Sequence, residues 1–414
     1  MKMKKTKRTP FAKVMQYLAL VALSAAFLAT PAVAAVEWDA SGFGTLGAVI
    51  SDSYARYQKD IDDKGAFLRD SLIGGRVDVK FNAKWSVTAQ VVLAEALDDD
   101  NKMALQLKQT LVSYRPSSDW LIRAGRMSIG GLLNQQNMDV GVSYDMLRLP
   151  NEVYQASQFY YFDGLSVAKT WNSTDYEITL DASGGFQRRD YRDYLAGSDE
   201  RNFYDADVWG GALVLTISDY DKKVMRLGWL YTHINPNYPG FIDKLNYSPL
   251  ANGQYTLASA SYADTVDLNT LFLGLRFPVG KFMVAAELQM VAADGVDGMP
   301  LTVSGYVNLS RKFGAWTPYI TYAQIYSDGD SWDKLNGAMA PAMGGQTALD
   351  NLKSSLFYFD QQSVMLGASY AFTPKQKLKG ELMFTHVGDR SAMFDQLISH
   401  QTIGVYSLAY SFMF

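Results

Sequence analysis

Cysteine is missing from the 414 residues, and histidine occurs only at His233, His386 and His400. Without thiols there is no disulfide framework and no cysteine-based metal or redox centre. The histidines fit no H-E-x-x-H motif and no G-x-S-x-G elbow occurs, so no metal-ligating residue, no catalytic residue and no cofactor is expected. Long apolar runs are missing as well: nothing after residue 34 approaches the roughly 18 residues that a membrane-spanning helix needs. Basic charge is scarce once the N-terminus is set aside. Lys2, Lys4, Lys5, Lys7, Arg8 and Lys13 open the chain with no acid among them. The short apolar stretch Val14 to Leu28 follows, and Ala32-Val33-Ala34 is a small-residue cleavage box. This is the pattern of a secretory signal peptide, so residues 1–34 are expected to be removed and 35–414 to form the folded protein. The segment holds six of the 38 Lys and Arg and none of the 42 Asp and Glu; 32 against 42 remain, a net charge of −10. A nucleic-acid partner is thereby excluded.

What the chain does have is aromatic residues and glycine (Tyr 26, Phe 21, Trp 8, Gly 33) at a mean hydropathy of only −0.09. The two are reconciled by strands that give alternate residues to hydrocarbon and to water. Period-two alternation is the dominant pattern. Over 84–93, Trp85, Val87, Ala89, Val91 and Leu93 share one face, while Lys84, Ser86, Thr88 and Gln90 share the other. Residues 73–81, 175–181 and 269–277 repeat this. About 16 such segments run from 38–50 to 402–413. Their connections alternate between short turns, such as Asn82-Ala83 and Thr373-Pro374, and long loops at 51–71, 95–103, 127–160, 185–207, 234–267, 293–300, 327–362 and 388–401. Trp85, Tyr114, Trp120, Trp171, Tyr220, Phe277, Phe313, Trp316 and Phe372 cluster near the short turns, as an interfacial girdle does. The expected fold is all-β: a transmembrane antiparallel β-barrel of about 16 strands, with short periplasmic turns and long extracellular loops.

The end of the chain carries a resemblance. Tyr406, Leu408, Tyr410, Phe412 and Phe414 alternate up to a terminal phenylalanine, which resembles the end signature of bacterial outer-membrane barrels. The whole of 35–414 resembles the 16-stranded general porins of Gram-negative bacteria. The resemblance implies a water-filled channel for passive diffusion of small hydrophilic solutes and ions, located in the outer membrane. It implies an assembly signal at Tyr410, Phe412 and Phe414, read by the barrel-assembly machinery. It further implies a homotrimer bathed in outer-membrane lipid and lipopolysaccharide, with no enzymatic activity. In porins the loop after the fifth strand folds into the pore; here that loop is Met127 to Tyr160. The stretches Arg123-Ala-Gly-Arg126 and Arg148-Leu-Pro150-Asn-Glu-Val-Tyr154 are similar to those of the family.

Porin eyelets set wall bases against loop acids, and low-dielectric walls focus the field of such charges. The bases expected on the inner wall are Arg76, Lys80, Lys108 and Arg123; the loop offers Asp139, Asp145 and Glu152, with Arg148 among them. These eight form the expected pore constriction. Other motifs carry less. Gly42, Gly44 and Gly47 match G-x-G-x-x-G, but no helix follows, so they read as a glycine-rich strand of the wall. Asp60, Asp62 and Asp63, and Asp98 to Asp100, read as solvated loop acids without EF-hand spacing. Two other functions fit a barrel: a solute-selective channel using the same loop, and a surface receptor or adhesin using the long loops without an open lumen.

Overall fold

The computed structural model describes residues 36–414 except 59, 97–101, 156–160, 195–200, 221, 237–240, 252 and 340–344. The expected signal peptide and the acids Asp98, Asp99 and Asp100 lie outside the described residues. The strands are β1 Glu37–Ser51, β2 Leu72–Lys80, β3 Trp85–Glu95, β4 Met103–Tyr114, β5 Trp120–Ser128, β6 Tyr161–Asn172, β7 Glu177–Tyr194, β8 Arg201–Ser218 and β9 Val224–Pro236. They continue as β10 Ile242–Pro249, β11 Tyr255–Tyr262, β12 Val266–Val279, β13 Phe282–Ala293, β14 Thr302–Ser310, β15 Trp316–Ser327, β16 Phe359–Thr373, β17 Gln376–Ser391 and β18 Gln401–Met413. Sixteen of them form one closed antiparallel barrel in chain order, and β10 with β11 forms a separate hairpin. Closure joins β1 to β18 from Phe43↔Met413 to Ser51↔Val405. It is sealed by reciprocal backbone bonds between Gly42 and Phe414, at 2.9 and 2.8 Å.

The register fixes which residues face out. Val91 lies opposite Leu107 and Leu93 opposite Leu105; Val92 and Gln106 face inward. Leu46, Leu105, Leu165, Leu271 and Val307 are each more than half exposed, and they point away from the barrel axis. Such a continuous apolar belt has no place in water; it is an outer surface made for hydrocarbon. The girdle residues Trp120, Trp171, Tyr220, Phe313, Trp316 and Phe372 sit exposed on the short-turn rim. Trp85 and Tyr114 pair there at 4.4 Å.

Three stretches differ from the alternation-based expectation. β7 and β8 run on to Tyr194 and from Arg201, so most of the expected 185–207 loop is strand. The expected 234–267 loop contains the β10–β11 hairpin. The expected 327–362 loop contains two helices, α2 Asp330–Gly337 and α3 Gly345–Ser355. These share a small core of Ile242, Leu245, Leu257, Trp332, Leu335 and Leu349, with Trp332 stacked on Tyr358 at 5.2 Å. Arg390 fastens this cap to the wall by donating to the carbonyls of Lys353 and Ser354.

Candidate functional site

The chain leaves the wall at the end of β5. Gly125 has φ +126°, and a Cβ there would lie 2.2 Å from the carbonyl oxygen of Thr110, so only glycine allows this twist. β4 and β5 pair only from Thr110↔Arg126 to Tyr114↔Ile122. Beyond that point the residues from 129 pack against inner-face residues of β12 to β16. Two short 3-10 turns, Gln135–Asn137 and Gly141–Ser143, and a four-residue helix, α1 Asn151–Tyr154, make up most of its ordered course. (In chain order α1 precedes the two cap helices.)

Apolar packing holds the loop against the wall. Leu132, Met146, Leu149, Val153 and Tyr154 are buried in one cluster with wall residues Phe272, Tyr306, Tyr319 and Met365. The cluster also takes in Tyr57 and Ile61 from the first long loop and Phe394 and Ile398 from the last. Burial of this kind stabilises by about 25 cal/mol per Å² of apolar area removed from water, and it makes one side of the barrel interior resemble a globular core.

Polar anchors fix the register of the loop on that core. Glu287 of β13 accepts from the backbone N–H of Leu133 (2.5 Å), from the Tyr154 hydroxyl (2.6 Å) and from the Tyr306 hydroxyl (2.8 Å). Burial first, and then Glu287, push the Tyr154 hydroxyl well above its ordinary pKa, so it remains a donor. Lys379 of β17 donates to the carbonyls of Gly141 (2.6 Å) and Met146 (2.8 Å). Arg276 reaches Asn134 and Arg226 reaches the carbonyl of Leu132. Arg148 binds Asp70 through Nε (2.8 Å) and Nη2 (2.5 Å), and Nη2 also reaches Ser407 at 3.0 Å. Burial alone would raise the Asp70 carboxyl, but the charge and hydrogen bonds of Arg148 outweigh it and hold the group below the usual carboxylate range.

The eight expected constriction residues are not brought together in one ring. Asp139 meets Lys108 at 3.7 Å, and the Tyr161 hydroxyl donates to the same carboxylate. Lys108 stands at the β-bulge that separates Gln90↔Gln109 from Val91↔Leu107. Arg76 and Arg123 face inward but bind wall acids: Arg76 is bidentate on Asp78 at 2.6 and 3.0 Å, and Arg123 meets Asp181 at 2.6 Å. Asp145 pairs with Lys377 at 2.8 Å, a base that the sequence reading left out. The remaining three differ from the expectation. Lys80 lies at the short-turn rim, 3.9 Å from Glu37, with 68% of its side chain exposed, because β2 ends there. Arg148 and Glu152 do not line the channel. Glu152 is fully buried against Gln361 and Ser363, and Arg148 is buried against Asp70, so both anchor the loop. Local charge pattern cannot separate an anchor from a lining residue, since both are inward-facing and ionic. Glu287, Lys379 and Glu381 escaped notice because they sit mid-strand with unremarkable neighbours in sequence. Glu287 is a lone charge on an otherwise weakly polar strand, whereas Lys379 and Glu381 continue an inward row of charges that begins at Lys377 on β17.

The histidines are placed apart in role: His386 meets Thr402, and His400 and His233 meet Asp389 and Asp267. Among the described residues no three His, Asp or Glu side chains are grouped to hold a metal ion.

No protein-family model matches the chain, and no curated protein matches it. Solved structures do. The outer membrane channel DcaP of Acinetobacter baumannii superposes with a TM-score of 0.55 at 12% identity, covering 93% of this chain and 99% of that one. OmpT of Vibrio cholerae, an outer membrane protein in its trimer form, gives 0.52 at 11%, covering 92% and 100%. OmpF of Salmonella typhi, in complex with daunomycin, gives 0.51 at 12%, covering 91% and 97%. The shared property is the fold, a closed barrel of the outer-membrane porin type.

Proposed function

We propose that this chain is a porin: a barrel of the outer membrane of a Gram-negative bacterium, without enzymatic activity, that lets small hydrophilic solutes and ions diffuse passively. The observation that carries the reading is the combination of an apolar outer belt with an inward loop that packs on only one side of the interior. The described part of the loop bonds to β9, β12, β13 and β15 through β18. On the other side it reaches Lys108 of β4 and Tyr161 of β6 through Asp139 alone among the described bonds, which leaves the polar inner faces of β2, β3 and β7 uncovered by it. A receptor needs no such loop and no polar lumen wall. Assembly as a homotrimer is part of the proposal, supported by the trimer form of the V. cholerae barrel. So are processing after Ala34, insertion by the barrel-assembly machinery, and contact with lipopolysaccharide. The test is incorporation of the purified 35–414 chain into a planar bilayer. Stepwise ohmic conductance is expected; a barrel that folds but conducts nothing would leave the receptor or adhesin reading.

A further inference from the structure

The inner wall opposite the packed side of the loop carries its charges as closed pairs. Arg76 and Asp78 stand two residues apart on β2, both inward, and Thr88 donates a further bond to the same carboxylate. Arg123 and Asp181 close across β5, β6 and β7, with Ser166 bonded to both. On the loop side the pairing repeats. Lys108 meets Asp139 and Lys377 meets Asp145. Of the buried glutamates, Glu95 is paired with Arg69, and Glu152, Glu287 and Glu381 are engaged by Gln361, by Tyr154 and Tyr306, and by Tyr319. No basic ladder therefore faces an acidic loop across the lumen among the described residues. Lys108 and Lys377 stand 3.7 and 2.8 Å from loop acids, whereas Arg226, Arg276 and Lys379 bond to the Leu132 carbonyl, the Asn134 side-chain oxygen and the Gly141 and Met146 carbonyls, beside the buried Glu287 and Glu381.

The distinction decides selectivity. A transverse field needs opposite charges on opposite sides of the water column. A contact pair about 3 Å long presents, some 6 Å away along its axis, roughly a third of the potential of a lone charge, by the inverse-distance law. Between the pairs stand hydroxyls such as Thr179, Ser183 and Thr216 on the inner faces of β7 and β8. These offer both donors and acceptors and no net charge.

We infer that the channel is built for uncharged, hydroxyl-rich solutes of sugar type, with little preference between cations and anions. The inference rests on the porin reading. The test uses the purified barrel in a planar bilayer under a potassium chloride gradient, and in liposomes swelling in D-glucose, gluconate or glucosamine. The expected permeability ratio of potassium to chloride lies within about threefold of unity, since the described residues form no ring of one sign. The three solutes, of nearly equal size, are expected to enter at rates within about threefold of one another. Asp78→Asn with Asp181→Asn uncovers Arg76 and Arg123, and should move the ratio at least about threefold toward chloride. A larger native preference, or a charged solute that outruns glucose by more, overturns the inference while leaving the porin reading intact. So does a conducting double variant whose ratio does not move. Should the double variant not fold, the native ratios alone decide. A native barrel with no conductance overturns the porin reading and this inference together.

Discussion

Asp70→Asn tests whether the infolded loop is clamped by charge. Arg148 has three described hydrogen bonds, two to Asp70 and one to Ser407, and its side chain is only 13% exposed. Replacing the carboxylate by an amide keeps the shape but leaves a guanidinium buried without its counter-charge. Breaking a buried pair from one side costs about 3–5 kcal/mol. The β-ladder is not touched, so the cheapest relief is for the Arg148 segment to lift toward water while the barrel stays closed. A cost of that size shifts a two-state loop equilibrium by roughly 10²- to 10⁴-fold. Single-channel records should therefore show flicker between sublevels where the native protein is steady, with unchanged heat-modifiable mobility of the barrel. The double variant Asp70→Asn, Arg148→Met removes both charges and should regain most of the steadiness, since an apolar replacement of a buried pair is often close to neutral. The pH dependence has a definite sign. The Asp70 carboxyl is lowered in the folded state, so its contribution is complete above the ordinary carboxylate range and is lost as pH falls through the lowered value. Acid-induced flicker in the native protein should thus begin below that range, and raising the pH should have no effect through this group. A steady Asp70→Asn channel, indistinguishable from native in current and noise, would refute the clamp.

Leu288→Arg, on the outer face mid-way along β13, should lower the yield of folded barrel in lipid by about 2–4 kcal/mol. Ser183→Arg, on the inner face of β7, should fold nearly as well; equal yields would show the register on these strands to be wrong. Phe414→Ala should reduce the amount of assembled barrel in the membrane without altering the conductance of those molecules that do assemble, because Phe414 meets Gly42 at the closing seam. Immunoblots of membrane fractions with matched single-channel records separate the two effects.

The wall of this barrel was legible because its code is local. Alternation such as Trp85, Val87, Ala89 against Ser86, Thr88, Gln90 states which face each residue takes, and the short turns state which strands are neighbours. The β10–β11 hairpin and helices α2 and α3 were not legible in the same way. They are short, amphipathic only against one another, and their shared core of Leu245, Leu257, Leu335 and Leu349 is assembled from segments about a hundred residues apart. The site was legible in part for the same reason. Asp139 beside Lys108 follows from knowing that the loop turns inward. That Arg76 is satisfied by Asp78 is written two residues away, yet it was read as a face rather than as a pair. Arg148 and Glu152 became anchors through Asp70, Ser407 and Ser363, partners that no spacing rule joins to them.

The loop follows β5 directly, but the groups that hold it are supplied late in the chain. Glu287 lies 154 residues beyond Leu133, Lys379 lies 233 beyond Met146, and Ser407 lies 259 beyond Arg148. Contacts so distant in sequence must wait for the closure of every intervening loop, and they form slowly. The loop that follows β5 therefore cannot be fully anchored while the barrel is still an open sheet. Its last anchor, Ser407, arrives only with β18, so a chain stalled before its last strands would hold this loop by fewer of its bonds.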